Sequence, residues 1–239
     1  MGIERRPTEE LERELRLSPW EAVVIRASNV VLATLGRVAD LAVLLLRPWL
    51  LRPYFGLWWA ELLRSPYRWP RSFEAVRVVK ASGQTLRELM YGEGLTASAI
   101  WLFRRAGVGR GSRVLDVGAG RGRVLLGARW LGAEAAGIEL REEHVRAVRR
   151  SMERAGVRLE AGDAMTADLG RPTHVFLNWC AFSPETKARV VERLAALPPG
   201  TRIIAVTQRI DDPRFRTLSR HRVLFTWGTE PAWIQERIR

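Results

Sequence analysis

The chain has 239 residues, 47% of them hydrophobic, enough for one sizeable core or for one domain with an appendage. Its formal net charge is +13, almost all of it from arginines, since Lys80 and Lys187 are the only lysines. The arginines are spread along the chain, so the charge fits either a compositional bias or attraction to phosphates and anionic membrane surfaces. The single cysteine, Cys180, excludes an internal disulfide and suits a reducing compartment.

The first 17 residues are charged and mixed in sign. They lack the apolar core and small-residue cleavage site of a secretory signal, so a cytoplasmic location is expected. Residues 8 to 17 read as a short charged helix. SPWE then reads as a helix start, with Ser18 as N-cap, Pro19 at the first position and Glu21 closing a capping box. That helix is expected to run to about Arg47, before Pro48. At 100° per residue, Arg26, Asn29, Arg37, Asp40 and Arg47 share one narrow stripe, and the rest of the circumference is apolar. The pattern is too interrupted for a simple spanning helix. It suits a helix lying in a membrane interface, peripheral on the inner membrane face. The Trp-, Tyr- and Arg-rich run that follows favours the headgroup region. The alternative is a helix packed on the following domain or into a dimer, with its stripe facing water.

Composition changes near residue 85. Residues 1–85 form a helical region, and residues 86–239 read as a separate domain. From residue 95 helices alternate with short apolar strands: SRVLDVG, AEAAGIEL, VRLEAGD, THVFLNW and TRIIAVT read as strands, and the last 19 residues as two strands around a turn. The expected fold is α/β: a doubly wound, mostly parallel seven-stranded sheet with an antiparallel terminal strand at its edge.

In such a sheet ligands bind at the carboxyl ends of the strands, where strand order reverses. The first strand runs into DVGAGRG, with Gly118, Gly120 and Gly122 alternating. A dinucleotide turn has the pattern G-x-G-x-x-G, but its third glycine position here is Arg123, too bulky for close packing. Asp116, at the strand end, would repel a pyrophosphate and suits a cationic ligand such as S-adenosylmethionine. The second strand ends at Glu139, at the spacing where an acid accepts from ribose hydroxyls. The third ends near Asp163, an acceptor for an adenine amine. Glycines and acids in this order identify S-adenosylmethionine as the expected cofactor.

On these motifs residues 85–239 resemble class I, seven-stranded S-adenosylmethionine-dependent methyltransferases. Within them they look most like the non-SET histone-lysine methyltransferases, the disruptor-of-telomeric-silencing family. Tyr91, Gly92 and Glu93 match that family's YGET loop, which implies that Tyr91 and Glu93 contact the cofactor; Gly94 replaces the threonine. VFLNWCAFSPE matches a strand followed by Asn-Asn and Phe-Ala-Phe, with Asn178 at the first Asn and Trp179 in place of the second. FTWGTEP matches a segment beside the family's substrate-lysine channel. The resemblance implies catalytic roles for Asn178, Phe182 and Trp227, with Trp179 adding to an apolar channel that lowers the acceptor amine's pKa.

The expected activity is therefore protein-lysine N-methylation. A lipid or other small-molecule acceptor at the membrane is the alternative within enzymes. A nucleic-acid acceptor fits the charge but is disfavoured, because NWCAF stands where amino-directed base methylases carry Asn/Asp-Pro-Pro-aromatic. A non-catalytic cofactor-binding interaction protein is the remaining reading. No metal is expected, since no two histidines have ligand spacing, and His144 is read as solvated in a charged helix.

Overall fold

The computed structural model describes residues 19–64, 94–226 and 228–238, of which residues 19, 21–26, 28, 29, 62–64 and 181 are described by backbone alone. The expectations for residues 8 to 18, for 65 to 93 with Tyr91 and Glu93, and for Trp227 lie outside the described residues, as do those for the side chains of Arg26 and Asn29.

The described elements are α1 (Pro19–Leu44), a 3₁₀ turn (Pro48–Leu50), α2 (Leu51–Arg64), α3 (Thr96–Arg105), β1 (Arg113–Val117), α4 (Arg123–Trp130), β2 (Glu134–Glu139), α5 (Glu142–Arg154), β3 (Val157–Ala161), β4 (His174–Asn178), α6 (Pro184–Ala195), β5 (Arg202–Val206), β6 (Phe215–Phe225) and β7 (Gly228–Arg237). A seven-stranded sheet has the order β3-β2-β1-β4-β5-β7-β6. β1 pairs in parallel with both β2 and β4, so strand order reverses between β1 and β4. The reversal opens a cleft over the carboxyl ends of those two strands, beside Asp116 and Asn178.

Alternation along the strands divides the core into two layers. Val114, Phe176, Ile204 and Ile234 face α3, α4 and α5. Leu115, Val117, Val175, Leu177 and Ile203 face α6. The terminal hairpin adds the expected antiparallel strand, β7, and places it between β5 and β6, so that β6 forms the sheet edge. Burial explains the order. β7 carries fully buried Ala232 and Ile234, whereas β6 carries exposed Arg216, Arg220 and Arg222, charges that suit an unpaired edge.

The N-terminal helices share the first core layer. Leu44, Leu50, Tyr54, Leu57 and Ala60 join the cluster that contains Leu102, Phe103, Leu125 and Met152. Gly36 of α1 lies under Leu95, and Gly56 of α2 lies so close to Ser151 of α5 that a Cβ there would overlap the serine hydroxyl. The Trp130 indole N–H donates to the Val43 carbonyl at 2.8 Å.

Within the expected polar stripe of α1, Asp40 is turned inward rather than to water, while Arg37 is part-exposed and Arg47 exposed. Asp40 is 0% exposed. Its carboxylate accepts from the Ala97 N–H at 2.7 Å and from the Tyr54 hydroxyl at 3.1 Å, and lies 3.9 Å from the Arg123 guanidinium. Arg37 pairs with Glu61 at 3.1 Å and sits over the Trp58 ring. Three polar partners from distant parts of the chain thus draw Asp40 inward, at the cost of burying a charge. Burial pushes the Asp40 carboxyl above its ordinary range, opposed by the Ala97 N–H and the Arg123 charge.

Asp40→Ala orphans the Ala97 N–H and weakens the compensation of buried Arg123. It is expected to lower stability to urea unfolding by about 3 kcal/mol. Ala39→Gln, on the exposed side of the same helix, is expected to change stability by less than about 0.5 kcal/mol.

Candidate functional site

The turn after β1 folds as it does because three glycines take conformations closed to other side chains. Gly118, Gly120 and Gly122 have φ of 77°, 56° and 77°. The Gly118 and Ala119 N–H groups donate to the Ile138 carbonyl at 2.9 and 3.1 Å, which ties the turn to the end of β2. Gly118 has a second constraint, since a Cβ there would lie 3.3 Å from the Phe182 ring. Gly122 precedes α4, and a Cβ on it would meet Met152 Sδ at 2.7 Å.

Above the turn is a cavity of about 480 Å³, within the range of small-molecule sites. Asp116, Gly118, Gly120, Glu139 and Asp163 are among its lining residues, as are Asn178 and Phe182. Gly122 and Trp179 are not among its lining residues. Trp179 is 3% exposed in the second core layer, its ring edge-on to Phe182 at 5.8 Å, so it adds nothing to a channel wall. The chain enters a 3₁₀ turn, Trp179–Ala181, directly after β4, with the Asn178 side chain accepting from the Cys180 N–H at 3.2 Å. Ser183 caps α6, as its SPE sequence implies, by accepting from the Thr186 N–H.

Two carboxyls set the electrostatics. Asp116 is 3% exposed; burial and the neighbouring Glu139 charge push its carboxyl up to about 8. Burial also raises the Glu139 carboxyl, but His144 and the N–H groups of Arg141 and Gly120 outweigh it and hold the group below its ordinary range. Glu139 accepts from the Gly120 N–H at 2.8 Å and from the Arg141 N–H at 3.0 Å. His144 is buried, not solvated, with Nδ1 3.6 Å from Glu139. The N-cap position and the amphipathic spacing of α5 turn it inward with Val145, Val148 and Met152. Asp163 is exposed and accepts from the Met165 N–H at 2.8 Å.

Sequence reasoning missed Phe225, Arg121 and Arg123 as lining residues. Phe225 is 3% exposed at the end of β6, two residues before Trp227. In the sequence Arg123 stands out as a departure from the glycine pattern and from the resembled family's Gln, not as a cleft residue. It reaches under the N-terminal helices, bonding Glu61 at 2.9 Å and the Tyr54 hydroxyl at 3.4 Å and lying over the Tyr54 ring. Nothing in its local sequence signals those partners, which are 62 and 69 residues away.

The arrangement resembles solved methyltransferases. TrmN from Thermus thermophilus is 20% identical, with a TM-score of 0.50 over 64% of this chain and 52% of that one. The glycopeptide N-methyltransferase MtfA is 16% identical, with a TM-score of 0.50 over 60% and 96%. Magnesium protoporphyrin IX methyltransferase from Synechocystis, solved with bound S-adenosylmethionine, is 14% identical, with a TM-score of 0.51 over 74% and 96%. The fold is that of the S-adenosylmethionine-dependent methyltransferases. This chain spans about half the length of TrmN. No protein-family model matches the sequence, and no curated protein matches it.

Gly118→Ala strains the turn and drives a methyl toward Phe182. It is expected to weaken S-adenosylhomocysteine binding in calorimetry at least tenfold. Gly122→Ala, at the same φ but facing Met152, is expected to lower stability by about 1–2 kcal/mol with a smaller effect on binding.

Proposed function

We propose that this protein is an S-adenosylmethionine-dependent methyltransferase, and that its acceptor is an amine, foremost the side chain of a protein lysine. The observation that carries the cofactor is the buried Asp116 carboxyl beside the glycine turn. A buried acid with its pKa near 8 is costly to ionise in the free protein, and a cationic ligand is what would stabilise its charged form. Glu139 and Asp163 supply acceptors for ribose hydroxyls and an adenine amine along the same cavity, and glycines without Cβ leave room for close approach. The fold shared with other methyltransferases supports the same reading.

When bound, S-adenosylmethionine supplies an activated methyl group on a sulfonium. What remains for the chain is to position a neutral nucleophile and exclude water. Phe182 and Phe225 line the cavity with apolar rings, which disfavour a protonated amine and raise the fraction of free base. The Asn178 carbonyl oxygen, at the end of β4, retains a lone pair beyond its bond from the Cys180 N–H and can accept from an incoming amine. The amine nitrogen takes the methyl group and gives up one proton. The lysine assignment rests on the sequence likeness of VFLNWCAFSPE and FTWGTEP to the non-SET histone-lysine methyltransferases.

A membrane-dissolved acceptor is the second reading. It is favoured by the wide exposed apolar side of α1, whose Asp40 contacts the start of α3 three residues from cavity-lining Gly94.

Purified protein incubated with methyl-labelled cofactor and a lysate of its source organism is expected to label the protein fraction, with acid-stable methyl-lysine on hydrolysis. Label in lipid alone overturns the lysine reading, and label nowhere despite cofactor binding overturns the enzyme reading. A second outcome concerns pH. Asp116 must be ionised to hold a cation, so affinity is expected to fall as pH drops below about 8, by up to tenfold per unit, and binding to release a proton. Calorimetry on Asp116→Asn, which shares the ligand's own titration, is expected to lose this dependence.

A further inference from the structure

From Val30 to Leu46 the exposed large side chains are Val30, Val31, Leu35, Val38, Leu45 and Leu46, each more than half exposed. Of the two charged residues in that span, Asp40 is buried, and Arg37, part-exposed, is paired with Glu61 of α2. A surface helix ordinarily does the reverse. Among the described residues from Val30 to Leu46, the exposed polar side chain is Thr34, which donates its hydroxyl to the Val30 carbonyl within the helix at 2.8 Å. α2 adds exposed Phe55 and Trp59, and the 3₁₀ turn between the helices adds Trp49.

Basic groups rim this apolar surface. Arg47 and Arg52 are exposed. The guanidinium of Arg129 lies 5.9 Å from the Trp49 ring and that of Arg47 lies 5.7 Å from the Trp130 ring. Paired arginine and tryptophan side chains are suited to the boundary between headgroups and acyl chains. No described helix is long and apolar enough to cross a membrane.

We propose that the outward face of α1, together with Trp49, Phe55 and Trp59, docks in the interface of an anionic lipid bilayer. Two features select a bilayer over a protein partner. From Val30 to Leu44 the face spans about 20 Å of helix, and its exposed polar side chain, Thr34, is already bonded within the helix, whereas protein interfaces carry roughly one hydrogen bond per 100–200 Å². The arginine rim matches anionic headgroups, and the chain as a whole carries a net charge of +13. The burial of Asp40 and the pairing of Arg37 with Glu61 make this geometry possible, since neither charge stands alone on the apolar face.

The test is co-sedimentation of the full chain with vesicles of phosphatidylcholine alone or with one third phosphatidylglycerol. The protein is expected to pellet with the anionic vesicles and to stay mostly in the supernatant with neutral ones. Val31→Glu, Leu35→Glu and Val38→Glu combined are expected to lower partitioning at least about a hundredfold. S-adenosylhomocysteine affinity is expected to stay unchanged, which shows that the variant folds. Full-length protein left in the supernatant with both vesicles overturns the proposal, as does a triple variant that pellets like the unaltered chain. A lipid-free dimer in light scattering that the triple variant converts to monomer also overturns it, in favour of a second copy on this face. Equal pelleting with neutral vesicles overturns the anionic selectivity.

Discussion

The buried carboxylate of Asp40 is the constraint on which the arrangement of the molecule turns. α3 begins at Thr96 without a side-chain cap of its own, and Asp40, 57 residues earlier, accepts the Ala97 N–H in its place. The same carboxylate faces Tyr54 and Arg123, and Arg123 is the first residue of the helix that follows the glycine turn. One acidic side chain therefore ties α1, α2, α3 and α4 together. A buried charge of this kind is tolerated only where its partners are in register, so it specifies how the N-terminal helices sit more than it adds net stability. The helical region is thereby joined to the floor of the cleft, because Arg123 also lines the cavity.

That docking has two consequences for the surface and the site. Burying Asp40 and pairing Arg37 with Glu61 leave the outer side of α1 between Val30 and Leu46 mostly apolar. Within the cleft, negative charge is concentrated rather than dispersed: Asp116 and Glu139 stand close enough for one charge to raise the other's pKa. His144 and two backbone N–H groups relieve Glu139, so the strain falls on Asp116. A site with one stabilised and one destabilised carboxyl is prepared for a ligand that brings positive charge and hydroxyl groups together.

Much of the fold was legible because periodicity reports burial. The strand–helix alternation after residue 95, the Ser183 cap and the glycine turn all express local rules, and the elements form where the pattern places them, except that β6 begins at Phe215, six residues ahead of the expected terminal pair. The cleft residues were legible for a related reason: Asp116, Glu139 and Asn178 sit at strand ends, which the parallel sheet gathers at one edge. Errors arose where a local pattern has two solutions. The stripe of α1 is equally consistent with facing in or out. Trp179 lies next to Asn178 in sequence, but the 3₁₀ turn after β4 sends its ring into the core. His144 lies among charges on a helix whose apolar side includes it.

By itself the sequence determined the element types, their order and the chemistry of the glycine-and-acid turn, because backbone conformation and hydrophobic periodicity act over a few residues. The tertiary structure alone decided which way α1 faces, that β7 lies inside the sheet, and that Phe225 and Arg123 belong to the cleft. Those outcomes depend on partners up to 69 residues apart, and a buried charge finds its counter-charge only when the chain has closed around it.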